Sequence, residues 1–442
     1  MFVTGGTSEG GNDVMDRSRS AGGRQSKVSY MATAALLSVA LIGGLSGCAA
    51  GKGSRATTSS NTPVPAPSST APTANGVSTT SPSSSTTAPP AATMLAAGTE
   101  GSRDQVPWSM VGAGWLLAQW SSKVPTGSGP FVSNLYLVDP RGGRYNLGAA
   151  PPGAVLSDWS GDGSRALLVA ETSGAATATP VFIYNLRDGS VARFTVSGQP
   201  FPLNVRFSRP SGQAVLIPGE NTESGALPAQ RFALTGSLEL AYPTSYPGAG
   251  NDYGSFAESP DGAALIFQAA NGMELVNNSG QPLRFLAPPP GQTPCNPVRW
   301  WNDSEVLAFC SAQLWLIPVS GAPASPLTSA TSPGSYLNAW SLPGGDIAED
   351  AACGTTWLDA VNADGTTRHL NVPDTPPNGS VAGLGTYGSQ LAITLTPGCD
   401  GGAAKVSSNS LAWYDPSDNA VRLLFGGGVN GGWIDDAVLF GN

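Results

Sequence analysis

From about residue 104 onward, short apolar runs alternate with turn residues, and the alternation repeats. Its sharpest copy is Glu258-Ser259-Pro260-Asp261-Gly262-Ala263-Ala264-Leu265-Ile266-Phe267. The apolar run predicts a buried strand, and Pro-Asp-Gly predicts the tight turn before it. Asp bonds its own backbone in such a turn, and Gly takes positive φ without a Cβ clash. Counterparts pair 159–163 with the apolar run 166–170, 207–212 with 214–217, 301–304 with 306–309, and 433–436 with 437–440.

A second hairpin follows the first in each unit. At 181–195 it reads as an alternating strand, an Asp188-Gly189 turn and another alternating strand. Parallels lie at 135–143, 231–240, 275–280, 314–321, 357–365 and 411–418. First-hairpin turns fall near Ala113, Asp162, Ser211, Asp261, Asp303, Gly344, Gly388 and Asp435. Four strands in every roughly 40–50 residues predict an all-β protein, a β-propeller of four-stranded blades. Eight first hairpins meet seven second hairpins. The C-terminal stretch 432–441 is therefore expected to join N-terminal strands around 106–120, which closes the ring and removes exposed edges. That gives seven blades, with eight as the alternative.

Ser259-Pro-Asp-Gly-Ala-Ala-Leu-Ile-Phe267 closely resembles the WD40-like (PD40) repeat of TolB-type β-propellers, and 160–168 is a looser copy. The resemblance covers the array but is sharp only there. Elsewhere the turn has lost its Asp, as at Pro343-Gly344-Gly345 and Tyr387-Gly388-Ser389. By analogy it implies an accessory of an envelope complex.

The N-terminal 48 residues read as an export signal. Arg17, Arg19, Arg24 and Lys27 precede an apolar run from Met31 to Leu45, which is short for a membrane span. Leu45-Ser46-Gly47-Cys48 resembles the bacterial lipobox. That resemblance implies cleavage before Cys48, a diacylglyceryl group on it, and attachment to the extracytoplasmic face of the cell membrane. Residues 49–103 are rich in Ser, Thr, Pro and Ala and predict a disordered linker, because they cannot bury enough apolar area to offset chain entropy. Residues 104–442 form the expected propeller.

Composition sharpens this picture. The 57 Gly and 11 Trp beside only 12% charged residues suit an all-β fold better than a helical one. Against 21 Lys and Arg stand 30 Asp and Glu, a net charge of −9. No basic patch is visible, which argues against nucleic acid as a partner. Cys48 stands apart from Cys295, Cys310, Cys353 and Cys399, as in an exported protein with one modified Cys and two disulfides. Cys295 and Cys310 flank the turn at Asn302-Asp303 and are expected to bridge one hairpin. Cys353 and Cys399 each follow the apolar strand of successive blades and are expected to staple neighbours.

Candidate chemistry is sparse. His369 is the only histidine, on an expected outer strand where a surface imidazole is the plain reading. One His leaves little room for a triad and none for a His-rich metal site, so no metal and no cofactor is expected. Glu349-Asp350, Asp435-Asp436, Asp158 and Glu258 fall near first hairpins, which line the channel of a propeller. Paired acids there could cleave glycosides. Arg206 and Arg299 precede the recurrent aromatic and could face an anionic ligand or a blade carboxylate. The aromatics Trp159, Phe207, Trp301, Trp340, Tyr387 and Trp433 are expected to be the wedges that pack neighbouring blades together, with stacking on a sugar ligand as the alternative.

No catalytic set is assigned. Arg206, Arg299, Asp350 and Asp436 are the channel or ligand candidates. The expected function is a non-catalytic binding or scaffold module in the bacterial envelope, engaging protein or glycan. The alternative is an extracytoplasmic hydrolase or lyase with channel-facing carboxylates. Three or more charged groups converging at one channel mouth would favour the enzyme. An apolar plug beside a flat exposed aromatic patch would favour the binder.

Overall fold

The computed structural model describes residues 93–121, 133–170, 178–197, 205–222, 225–242, 256–269, 271–332, 334–352, 355–376, 378–397, 409–426 and 432–441. Cys48, the segment before residue 93, Cys353 and Cys399 lie outside the described residues.

Seven sheets carry the repeat. Blade 2 contains Ala154–Trp159, Arg165–Ala170, Ala178–Asn185 and Val191–Ser197. Blade 3 contains Arg206–Phe207, Ala214–Ile217, Gln230–Ala233 and Leu238–Ala241. Blade 4 runs Phe256–Glu258, Ala264–Ala269, Gly272–Asn277 and Pro282–Leu286. Blade 5 runs Cys295–Asn302, Glu305–Cys310, Gln313–Pro318 and Ser325–Pro326. Blade 6 comprises Tyr336–Leu342, Gly345–Ala352, Thr355–Val361 and Thr367–His369. Blade 7 comprises Ser380–Tyr387, Gln390–Thr396, Ser410–Asp415 and Ala420–Phe425.

Blade 1 settles the count. Its strands Leu116–Ser121, Ser133–Val138 and Arg144–Ala149 come from the N-terminal side, and Trp433–Leu439 supplies the innermost position. Leu116 opposes Leu439 and Ser121 opposes Trp433 in an antiparallel register. The candidate hairpins at Ala113 and Asp435 thus belong to one blade, and the ring has seven. Asp435-Asp436 lies inside a strand rather than at a turn, a correction to the sequence reading. Its pairing strand lies near the other end of the chain, so local turn chemistry misleads there.

Seven hydrophobic clusters fill the joints between blades. Alternate residues of one strand serve opposite joints: Leu117 packs toward blade 2, while Leu116 and Ala118 pack toward blade 7. A strand covered on both faces needs apolar side chains throughout, which is why the second strands read as continuous apolar runs. Trp159, Phe207 and Trp340 are fully buried in these clusters, as wedges between blades must be. Tyr387, by contrast, is exposed.

The turns follow the expected chemistry. Ser259 Oγ and the Ala263 N–H both donate to Asp261, which holds that carboxyl below its usual range. Gly262 sits at φ 71° with the Arg209 carbonyl only 2.0 Å from where a Cβ would stand, so glycine lets this turn press against blade 3. Cys295 directly opposes Cys310 in the first hairpin of blade 5, and the two form a disulfide with Cα atoms 4.2 Å apart.

The packed chain begins earlier than the expected boundary at 104. Glu100–Ser102 adds a fifth, parallel strand to the outer edge of blade 1, with Glu100 opposite Arg144. The Leu95 N–H donates to Tyr145 Oη at 3.0 Å and the Gly98 N–H to the Gly142 carbonyl at 3.0 Å. Arg103 reaches blade 2, donating to Tyr184 Oη and lying over its ring.

Candidate functional site

The innermost strands line the axis, and their polar groups are the candidates for chemistry. Most of them cross a joint. Gln119 of blade 1 donates to the Ala154 carbonyl at 2.7 Å and accepts the Leu156 N–H at 2.6 Å. Asp158 of blade 2 accepts the Phe207 N–H of blade 3 at 2.7 Å, and Ser157 Oγ donates to the Val205 carbonyl at 2.7 Å. Glu258 of blade 4 accepts the Arg209 N–H of blade 3 at 2.7 Å. Trp300 Nε1 of blade 5 approaches the Ala257 carbonyl of blade 4 at 3.4 Å. Arg299 of blade 5 donates to the Ala339 carbonyl of blade 6. Glu349 of blade 6 accepts the Gly383 N–H of blade 7 at 3.0 Å. Asn409 of blade 7 donates to the Ile434 carbonyl of blade 1 at 3.1 Å.

All seven joints therefore carry a side chain of one blade on the backbone of the next. The physical reason is satisfaction. An inner strand that packs against a neighbouring blade leaves backbone groups facing apolar surface, and each buried group needs a partner.

The richest of these ties joins blades 2, 3 and 4. Arg209 Nη1 and Nη2 donate to the two oxygens of buried Asp158 at 3.2 and 3.3 Å. The geometry is a forked guanidinium–carboxylate pair. Glu258 faces blade 3, because its opposed partner Leu265 lies in the cluster between blades 3 and 4. Burial pushes its carboxyl up to about 7, against the lowering effect of the Arg209 N–H and the Arg209 and Arg231 guanidiniums. Glu258 Oε1 is buried with no hydrogen-bond partner. Arg206 opposes Leu216 of the same cluster, so it faces the same joint from the other side. Solvent reaches Arg206, yet burial among the surrounding strands lowers its pKa.

The other sequence candidates part company. Arg299 does not stand in an open channel: its guanidinium lies 5.5 Å from the Trp301 ring and 5.7 Å from that of Trp340. Burial lowers its pKa to about 10. A bulge between Pro297 and Arg299 turns the strand there, which the shared position before an aromatic does not reveal.

Glu349 and Asp350 are neighbours on the second strand of blade 6 and point to opposite faces. Glu349 faces blade 7, where burial raises its carboxyl to about 7. Asp350 is buried on the blade 5 side and accepts the Ser335 N–H at 2.6 Å. Asp436, in blade 1, accepts the Ala437 N–H at 2.9 Å, and blade 7 separates it from Asp350. These acids make no pair.

His369 is more than half exposed on the outer strand of blade 6, with Nδ1 3.3 Å from Asp359 Oδ1. Burial raises the Asp359 carboxyl, and Tyr336 Oη lies 3.5 Å from its other oxygen. Among the described residues no group of three His, Cys, Asp or Glu side chains could hold a metal ion.

Gln119 and Arg209 escaped the sequence reading. The signal for Gln119 was present: a single amide inside the buried run Leu-Leu-Ala-Gln-Trp must find partners across a joint. Arg209 sits between Ser208 and Pro210 in a first-hairpin turn, where an exposed arginine is the plain expectation.

No protein-family model and no curated protein matches the chain. Solved structures align with much of the chain. The β-propeller domain of the Trilobed protease from Pyrococcus furiosus is 9% identical with a TM-score of 0.47, over 71% of this chain and 95% of that one. AztD from Citrobacter koseri is 12% identical with a TM-score of 0.42, over 74% and 98%. TolB from Acinetobacter baumannii is 14% identical with a TM-score of 0.39, over 73% and 66%. The seven-bladed assignment rests on the strand register itself.

Proposed function

We propose that this chain is an exported, lipid-anchored propeller that serves as a non-catalytic binding or scaffold module in the bacterial cell envelope. Cys48 is its attachment to the membrane, residues 49–93 its linker, and the disc its working part. The observation that carries the non-catalytic reading is the use of three acids on the first and second strands of their blades. Asp158, Glu258 and Glu349 each accept a backbone N–H of the adjoining blade. Groups that hold a ring together are poorly placed to move protons for a substrate.

One observation favours the second reading, an extracytoplasmic hydrolase or lyase. Asp158, Arg206, Arg209 and Glu258 converge near the axis, and Glu258 has the raised pKa expected of a general acid. It lacks a second acid to work with, because both oxygens of Asp158 are taken by Arg209.

Two experiments test the proposal. Replacing Cys48→Ala should move the protein from the membrane fraction to the soluble fraction; retention of the variant in washed membranes contradicts the lipid anchor. Cross-linked native envelopes should yield a discrete partner with the whole protein and not with a lipidated linker that lacks the disc. Recovery of no partner, together with glycan-cleaving activity that Glu258→Gln abolishes, would replace this reading with the enzyme.

A further inference from the structure

The face that blade 6 turns to blade 5 carries the one histidine of the chain beside two buried acids. Tyr336 and Ala348 pack there against Leu307 and Leu314 of blade 5. Opposed residues of an antiparallel pair share a face. Asp350 opposes Tyr336, Asp359 opposes Ala348, and His369 opposes Asp359, so all three face blade 5. His369 Nδ1 lies 3.3 Å from Asp359 Oδ1. The other Asp359 oxygen lies 3.5 Å from Tyr336 Oη, which also bonds to Thr367 Oγ1 at 2.5 Å.

A segment that follows blade 5 is tied to the same outer strand. The Ser329 N–H donates to the Gly365 carbonyl at 2.7 Å, and Ser332 Oγ donates to it at 3.2 Å. Gly365 belongs to the turn that leads into Thr367–His369, a strand of only three residues.

We propose that the His369–Asp359 contact is a pH-sensitive latch on the outer edge of blade 6. With the imidazole charged it holds the outer strand and the segment 328–332 in place, and with the imidazole neutral it lets them open. Opening bares the backbone of Asp359–Val361, an edge of the kind that pairs with an extended segment.

The charges around the latch set its direction. The groups acting on Asp359 are His369, Asp350 and Tyr336, and His369 supplies the positive charge among them. Asp346 and, from blade 5, Glu305 add carboxylates to the same joint. Arg299 of blade 5 is bound at the inner strand to the Ala339 carbonyl, and Arg368 acts on Tyr414 of blade 7. Residues 327–332 contribute no charged side chain. Histidine changes charge between pH 5 and pH 8. Below that change an imidazolium faces the Asp359 carboxylate; above it a buried carboxylate has lost its cation, which is costly. Burial already raises the Asp359 carboxyl, so both groups favour the closed edge at the acid end.

The test measures amide hydrogen exchange on the full chain at pH 6 and pH 8, as protection factors corrected for the intrinsic rate. The reporters are the Leu370 amide, bonded to the Leu358 carbonyl at 2.9 Å, and the Ser329 amide. The reference is the Ala150 amide, which follows the outer strand of blade 1 and donates to the Ser133 carbonyl at 2.8 Å. Protection at both reporters should fall about fivefold from pH 6 to pH 8 relative to the reference. His369→Gln should show the lower protection at both pH values. His369→Arg, which keeps a cation throughout, should show the higher protection at both. Asp359→Asn should abolish the pH dependence whatever its effect on stability. Equal protection at pH 6 and pH 8 in the wild type overturns the latch. So does a pH dependence that His369→Gln retains, or one that the Ala150 amide shares in full, since the whole ring is then loosening.

Discussion

Between blades 2, 3 and 4 the joints nearest the axis are held by charge: Asp158 grips Arg209, and Arg209 gives its N–H to Glu258. Between blades 5, 6 and 7 the same depth is filled by rings. Arg299 lies between Trp301 and Trp340, and the Trp340 ring covers Gly383, where a Cβ would meet it at 2.2 Å. Both halves solve one problem, the backbone groups that a closed ring turns away from water. The charged half carries its ties on the strands nearest the axis. The aromatic half spends its polar groups inside the joints. The two halves therefore differ in the chemistry that ties one blade to the next.

The comparison can be broken by mutation. The largest effects are expected at the joints. Asp158→Ala removes both bonds to Arg209 and should cost about 3–5 kcal/mol in urea unfolding. Trp340→Ala should cost a similar ~3–5 kcal/mol by leaving a cavity. A loss below about 1 kcal/mol for either would show that its half is not held this way. Next comes the covalent staple of blade 5, whose cysteines are 15 residues apart. Replacing both by serine should cost about 3 kcal/mol through the freed loop.

The buried acids sharpen the comparison, because each half contains one. Glu258 and Glu349 titrate at about 7, above the usual 4.5. Folding then takes up protons between those values, so stability is fully present below pH 4.5 and is lost as pH rises through 7. The loss is at most about 3 kcal/mol per group, less for half-buried Glu258, and Glu258→Gln or Glu349→Gln should each flatten it. A stability that rises from pH 5 to pH 8 contradicts this.

The blade period was legible because each blade repeats the same turn and apolar run, and the ring closure because hairpins came out uneven. The bridge across one hairpin followed from the symmetric placement of Cys295 and Cys310. What escaped depended on distant pairing or on strand irregularity. Residues 94–103 resemble the linker before them, since a three-residue parallel strand at an outer edge needs no alternation. Arg206 and Arg299 look equivalent until a bulge redirects one of them. Glu349 and Asp350 look like a pair until the strand sends them to opposite joints.

The account depends most on the claim that the charges near the axis hold the blades together. A double-mutant cycle on Asp158 and Arg209, by urea unfolding of Asp158→Ala, Arg209→Ala and the double variant, reads that claim directly. It predicts a coupling energy of about 1.5–3 kcal/mol, with the double variant hardly worse than the worse single one. Additive losses with coupling near zero would contradict it, and the acids of blades 2 to 4 would again be candidates for chemistry.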